Sequence, residues 1–433
     1  MTAVRNSDKN YNKILNYFST YIAGRMHDLI IVGGGIAGLR VGIETLRKNS
    51  NLSVIILEKY DYIGGRIITH HKDGNQWEIG AARISKKHTK ILSLIEKYHL
   101  TSVNISDDSQ WRGNDGIAHT GQFSQLIDTY MKPLQYLDNT VLRNNTLADI
   151  LAKVHGYVGA SDFLIQFPYW AEVYRMRADL ALNKFTEEMS SWSGFVGVSE
   201  GLSALINAMS REFRGLGGYI ETKHEITDIK RIGKIENVYC TNEQIIKGRI
   251  CVIALHRDAV AGIRSMRKWS GLQHIKMDPL FRMYAVFPNS AWFKDLPTTI
   301  VDSPVRLVIP MTKGAIMISY TDGADAIHWI KMLKKDGADA VKKAVMHEIR
   351  KIFCERDIPD PLEFKLYPWY SGCSCWIPGN YDPAEESVNA LCVREGLFCC
   401  GESWSLRQAW MEGALEHADM LLANVTFQNA LYK

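Results

Sequence analysis

The chain has 433 residues, 46% of them hydrophobic and 23% charged, with a formal net charge of +4. That length suits two or three domains with ample core, and the composition is ordinary for a soluble globular protein. The cations are spread rather than gathered into a stripe, which argues against a nucleic-acid partner, and no apolar run is long enough to span a membrane.

Residues 1–25 read as an N-terminal extension. Within it Tyr11, Ile14, Leu15, Phe18, Tyr21 and Ile22 recur at helical intervals, predicting a short amphipathic helix that packs on the body or serves targeting or docking. All eight cysteines lie between Cys240 and Cys400, at spacings that fit neither a zinc site nor a secreted disulfide framework. They are read as reduced thiols of an intracellular, cytoplasmic protein with no metal centre.

The strongest local pattern spans residues 27–59, HDLIIVGGGIAGLRVGIETLRKNSNLSVIILEK. Leu29 to Val32 predict a buried strand, Ile36 to Arg47 a helix, and Val54 to Leu57 a second strand ending at Glu58. Between strand and helix, Gly33, Gly35 and Gly38 fit G-x-G-x-x-G. The first permits a tight turn, the second lets a diphosphate reach the backbone, and the third lets helix and strand pack closely. The helix start at Ile36 and Ala37 then offers free N–H groups to the phosphates. A carboxylate at Glu58 can accept from both ribose hydroxyls and would repel a 2′-phosphate, leaving NAD or FAD as the dinucleotide.

Further along, residues 221–255 alternate like a small strand meander, and residues 331–353 place Val341, Ala344, Val345, Ile349, Ile352 and Phe353 on one helical face with lysines and arginines outside it. The latter is read as a solvated helix, not a basic binding site.

The segment after Glu58 selects the dinucleotide. Gly64, Gly65 and Arg66 resemble the second glycine motif of the flavin amine oxidase superfamily, and residues 396–422 resemble its closing motif, with Gly401-Glu402 and then Trp410-Met411-Glu412-Gly413-Ala414. The resemblance runs from residue 27 to about 425, strong at the ends and weak in the middle. It implies an α/β fold in which a Rossmann-type FAD-binding domain (26–83, 188–265 and 369–433) is interleaved with an α+β substrate-binding domain (84–187 and 266–368). It also implies that Arg66 approaches the diphosphate, Glu402 the ribitol or diphosphate, the backbone at Ile226 the adenine, and the N–H of Met411 the flavin pyrimidine. A helix start aimed there would stabilise the negative charge that reduction places on that ring.

Gly80-Ala81-Ala82-Arg83 matches the form found in L-amino acid oxidases and tryptophan 2-monooxygenase, where this segment crosses under the flavin and the arginine clamps the substrate carboxylate. A planar guanidinium fork suits that task. By the same resemblance Trp410 and Trp376 would form two aromatic walls, with Trp369 near the flavin. Gly372-Cys373 invites comparison with the covalent flavin cysteine of monoamine oxidases, but the shorter spacing to Pro378-Gly379 favours noncovalent FAD. Where oxidases carry a lysine ten residues before a tryptophan, Arg282 precedes Trp292; it cannot deprotonate, which puts oxygen reactivity in doubt, and Lys276 is a candidate substitute. His88 is read as structural.

The implied reaction is FAD-dependent oxidation of an amine, an L-amino acid above all, by hydride transfer giving an imine and hydrogen peroxide. The alternatives are a polyamine or monoamine oxidase, an amino acid oxygenase forming an amide, and a catalytically weak FAD-binding module. The partners implied are a small-molecule amine or amino acid and oxygen, and a homodimer is left open.

Overall fold

The computed structural model describes residues 25–433, except 107, 114–117, 120–122, 189–193 and 312–313. The helix expected within residues 11–22 lies outside the described residues.

Two sheets organise the chain. In the first, the run from Leu29 to Val32 is buried on both faces, as a central parallel strand must be. This strand, Met26–Val32, pairs in parallel with Val54–Leu57 on one side and Ile245–Ile253 on the other. Tyr219–Glu221 extends the sheet beyond Val54–Leu57, and Leu397–Cys399 lies parallel beside Ile245–Ile253. The meander expected over 221–255 forms the strands Ile226–Ile232 and Ile235–Cys240, antiparallel to each other and, for the second, to Ile245–Ile253. The helices Ile36–Lys48, Leu202–Gly215 and Met411–Ala423 share one apolar core with the sheet, built on Leu29, Ile31, Leu39, Ile56, Phe213, Val252 and Leu415.

The second sheet has seven strands in the order Glu363–Trp376, Ile275–Val286, Ala315–Asp322, Leu307–Pro310, Thr298–Val301, Ser109–Arg112 and Ala118–His119. Period-two alternation along Ile275–Val286 divides its side chains. Phe281, Met283 and Ala285 pack into the core formed with Val341, Val345 and Ile349, whereas Arg282 and Tyr284 point to the other face. The helical face expected over 331–353 is buried as its spacing requires, but Gly337 at φ 85° divides the segment into the helices Gly323–Asp336 and Ala338–Ile352. A left-handed residue there ends one helix and admits the next.

Helices between Phe123 and Glu188 close around Leu147, Leu151, Phe163, Phe167 and Phe185. The segment Leu147–Leu164 starts on a reciprocal cap between Thr146 and Asp149 and is broken by a kink at Gly156, which adopts φ 71°. Glu363–Trp376 is one continuous strand, so the domain boundary expected between 368 and 369 falls inside it.

Candidate active site

The glycine turns are shaped for something narrow and close to the backbone. Gly33 adopts φ 112°, and a Cβ there would lie 2.5 Å from the carbonyl oxygen of Ala254; one on Gly38 would lie 2.1 Å from that of Gly33. Both glycines are demanded by the protein's own packing. A Cβ on Gly35, by contrast, meets nothing within 4 Å, so here the open space faces outward over the helix start. No side chain caps that start, which leaves the first-turn N–H groups at Ile36, Ala37 and Gly38 without intrahelical acceptors. The second glycine motif docks directly on the first: Gly64 N–H donates to Gly34 O at 2.9 Å, and Gly65, at φ 61°, sits over Gly35. Glu58 is buried beside them, accepting from Gly34 N–H at 2.9 Å and Tyr60 N–H at 3.0 Å. His224 N–H donates to Glu58 O at 2.7 Å, which brings the segment leading to Ile226 alongside.

Arg66 leaves this turn and reaches the C-terminal motif, donating to Glu402 Oε2 at 2.8 Å and to Gly372 O at 3.0 Å. Glu402 also accepts from Ala409 N–H at 2.6 Å and Ser374 Oγ at 3.0 Å. Burial alone would push this carboxyl up; Arg66 and the added donors outweigh it and hold it below the usual range. Gly401, at φ 136°, donates its N–H to His417 Nδ1 at 3.2 Å, and His417 Nε2–H donates to Ser387 O at 3.0 Å. The helix Met411–Ala423 begins after Trp410 with no side-chain cap, so its first-turn N–H groups, from Met411 on, lack intrahelical acceptors. The neighbouring Glu412 instead caps another helix, accepting from Lys90 and Ile91 N–H groups at 2.9 Å.

Gly80-Ala81-Ala82-Arg83 crosses this floor. Ala81 N–H donates to Arg66 O at 2.9 Å, and a Cβ on Gly80 would lie 1.9 Å from that same oxygen. Trp369 lies against Gly80 and donates its indole N–H to Ile79 O at 2.6 Å.

Beyond the floor, Arg83 donates to the Tyr169 hydroxyl at 2.7 Å, with its guanidinium 5.0 Å from the Phe195 ring centroid and 5.5 Å from that of Tyr169. Among the described residues it makes no ion pair. Burial disfavours its charge, but Tyr169, Tyr320 and Glu172 more than restore it. Trp410 stacks on Phe195 with centroids 6.1 Å apart and meets His88 edge-on at 4.9 Å; its buried indole N–H has no partner among the described residues. Lys184 Nζ lies 5.8 Å from the Trp410 ring and is paired with Glu172 at 2.8 Å. The rings of Tyr169 and Tyr320 are 6.4 Å apart, and Arg282 lies 5.2 Å over Tyr320. Arg282 donates from Nη1 to Glu78 O at 2.9 Å, while its buried Nε has no hydrogen-bond partner among the described residues. Arg83, Trp410 and Arg282 are thus linked through Phe195, Tyr169 and Tyr320.

Trp376 is placed elsewhere, which corrects its reading as a wall. It ends the long strand, is 1% exposed, and packs among Ile275, Trp404 and Tyr381. Its indole N–H donates to Ser405 O at 3.0 Å and its backbone N–H to Gln408 at 2.6 Å. Strand alternation, which segment length does not reveal, turns the side chain inward. Cys373 faces the helical core, and its thiol is pushed well above the usual range by a hydrogen bond with Cys375 and by burial. Lys276 is exposed on its strand. His88 accepts from Ser85 N–H at 3.3 Å and is buried. The residues that sequence reasoning missed, Tyr169, Phe195 and Tyr320, come from three distant segments without a local signature.

A parallel sheet with glycine turns at its strand ends, an acidic residue after the second strand, and a helix start converging on one floor define a dinucleotide-binding oxidoreductase. A model of the family described as flavin-containing amine oxidoreductase matches residues 36–420. The chain belongs to that family. With membership come the cofactor, FAD, and the reaction class, oxidation of amines. The chain is 31% identical to flavin-containing amine oxidase A of Equus caballus, over 95% of this chain and 87% of that protein. It is 32% identical to flavin-containing amine oxidase B of Cavia porcellus, over 90% and 84% respectively. A solved structure of wild-type putrescine oxidase bound to putrescine superposes with a TM-score of 0.70 at 16% identity, covering 94% of this chain and 98% of that one, a likeness that carries the fold. No described helix is long and apolar enough to cross a membrane.

Proposed function

We propose that the chain oxidises an L-amino acid at the carbon bearing its amine. The observation that carries this reading is Arg83. Its guanidinium lies between two aromatic faces, is held by one neutral hydroxyl, and has no carboxylate partner among the described residues. A substrate carboxylate would complete its fork with two charge-assisted hydrogen bonds.

When bound, FAD supplies the two-electron acceptor for the hydride that leaves the substrate carbon, and oxygen then returns the enzyme to its starting state with release of hydrogen peroxide. The chain's own groups hold and orient. Gly35, Gly65, the open helix start at Ile36 and Arg66 would hold the diphosphate, Glu58 the ribose, Ile226 the adenine, and Glu402 with Arg66 the ribitol side. The uncapped N–H of Met411 would stabilise negative charge on the pyrimidine ring. Trp410 and Phe195 exclude water and favour a neutral amine by desolvation, so no dedicated base is required. Cys373, protonated in the core, supports noncovalent attachment.

In this reading residues 26–83, 188–265 and 369–433 form the cofactor unit and 84–187 with 266–368 the substrate unit, the Glu363–Trp376 strand belonging to both. The test is anaerobic mixing of the holoenzyme with L-amino acids and with the matching decarboxylated amines, following flavin absorbance. Bleaching by amino acids and its loss in Arg83→Ala is the expected result. Efficient bleaching by the amines alone would overturn the reading and favour a monoamine or polyamine oxidase.

A further inference from the structure

His256 lies where several cofactor-binding turns meet, and none of the sequence motifs includes it. The Ile245–Ile253 strand runs out at the C-terminal edge of the parallel sheet, beside Met26–Val32 and Leu397–Cys399. Ala254 and Leu255 then pass against the glycine turns: a Cβ on Gly33 would lie 2.9 Å from the Leu255 side chain, and one on Gly401 would lie 3.5 Å from Leu255 O. His256 comes next, at the opening over which ligands of such sheets bind.

The ring's own bonding shows which nitrogen is available. Nδ1 accepts from Ala259 N–H at 3.3 Å, so the neutral imidazole carries its proton on Nε2. Nε2 makes no hydrogen bond among the described residues, although the ring is half-buried. The charged groups acting on the ring are Arg66 from the second glycine turn, Lys59 from the end of the second strand, Asp258 from its own helix and Glu402 from the C-terminal turn. Both acids are occupied: Asp258 by Arg257 at 3.0 Å and Ser371 at 2.8 Å, Glu402 by Arg66, Ser374 and Ala409. Burial, followed by Arg66, pushes the imidazole down to about 4, so it is neutral at pH 7.

We propose that His256 is a ligand of the FAD diphosphate, donating from Nε2, and that FAD binds together with a proton. An anion beside Arg66 offsets the cationic repulsion on the ring and adds an attraction, so the charged imidazolium is favoured more in the holoprotein than in the apoprotein. His256 has a higher proton affinity with FAD bound than without it, and by linkage FAD binds more tightly as pH falls through the holoprotein value. One coupled proton gives a slope of up to about tenfold in Kd per pH unit, which levels off above the holoprotein value and again below the apoprotein one.

The test is a titration of apoprotein with FAD between pH 5 and 8.5, read by quenching of flavin fluorescence, for wild type, His256→Gln and His256→Ala. Thermal unfolding of each apoprotein checks that the fold is retained. The expected result is a wild-type Kd that falls about tenfold or more from pH 8.5 to pH 6, and a flat profile in both variants, with Gln, which keeps a neutral donor, binding FAD more tightly than Ala. A flat wild-type profile, or variants that keep the wild-type slope, would overturn the proposal. Family membership and FAD binding would survive either of these outcomes.

Discussion

Replacing Gly35 by alanine separates the demands of the fold from those of the cofactor. Gly35 caps the helix Ile36–Lys48 at φ −78° and ψ 179°, a conformation any residue adopts, and its added Cβ meets nothing within 4 Å. The apoprotein should therefore lose about 0.5–1 kcal/mol from the weaker cap and regain about 0.4–1 kcal/mol from a less flexible unfolded chain, a net change close to zero. Binding is another matter, because the methyl group stands where the diphosphate must approach the backbone. Pushing the phosphates outward sacrifices at least one charge-assisted hydrogen bond of about 1.5–3 kcal/mol, equivalent to roughly a tenfold to hundredfold rise, or more, in the Kd for FAD. Calorimetric unfolding of the apoprotein and fluorescence titration with FAD measure the two effects independently. FAD affinity within about threefold of wild type would refute the placement of the diphosphate over Gly35, and an unfolded apoprotein would refute the openness of the cradle.

Gly38→Ala should show the opposite profile, because its Cβ would lie 2.1 Å from Gly33 O; loss of apoprotein stability by about 2 kcal/mol or more in denaturant titration is expected. Glu78, pushed up to about 7 chiefly by burial, holds a proton in the native state over a range where the unfolded chain has lost it, so stability falls as pH rises from about 4 to 7. Glu78→Gln should remove that fall, gaining on the order of 2 kcal/mol on wild type at pH 8 relative to pH 4, as read from denaturant midpoints. Arg282→Lys restores a group able to deprotonate, and stopped-flow reoxidation of the reduced holoenzyme by oxygen should quicken by about tenfold or more; an unchanged rate would remove Arg282 from the oxygen step. Tyr169→Phe takes away the one hydrogen bond that holds Arg83 among the described residues and should raise KM for amino acids several-fold with a smaller change in kcat.

The parts of this protein that can be read in its sequence are those whose physics is local. The Gly33 to Glu58 unit is legible because turn, helix start and strand succeed one another within about thirty residues, and the face of Val341, Val345 and Ile349 because a helix repeats on itself. Trp376 escapes such a reading because the side a strand residue faces depends on register: pairing Trp376 with Ile275 turns the indole toward Trp404 and Tyr381. The long strand that carries it crosses a boundary that sequence places between residues 368 and 369, since one strand can serve two cores. Tyr169, Phe195, Tyr320 and His256 stay hidden because each acquires its neighbours only when distant segments close together.

On the proposed reading, the electrostatics around Arg83 suit an amino acid better than a diamine. Arg83 and Arg282 flank one pair of tyrosines, and neither has a carboxylate within ion-pairing distance among the described residues. Burial disfavours the Arg83 charge and its neighbours, Glu172 included, offset that cost; an arriving carboxylate would add to the offset where an ammonium would oppose it. The acids on that side are already engaged. Glu172 is paired with Lys184, and Asp322 accepts from the N–H groups of Trp170 and Ala171 at 2.9 Å, while burial and Glu172 push its carboxyl up to about 7. A second ammonium on the substrate would meet two cations and one acid held partly protonated. The uncapped helix start at Met411 carries the same sign of charge. Arrival of an anion and accumulation of negative charge on the flavin are thus favoured by one arrangement of residues, whereas a polycation would have to displace Lys184 from Glu172 to be held.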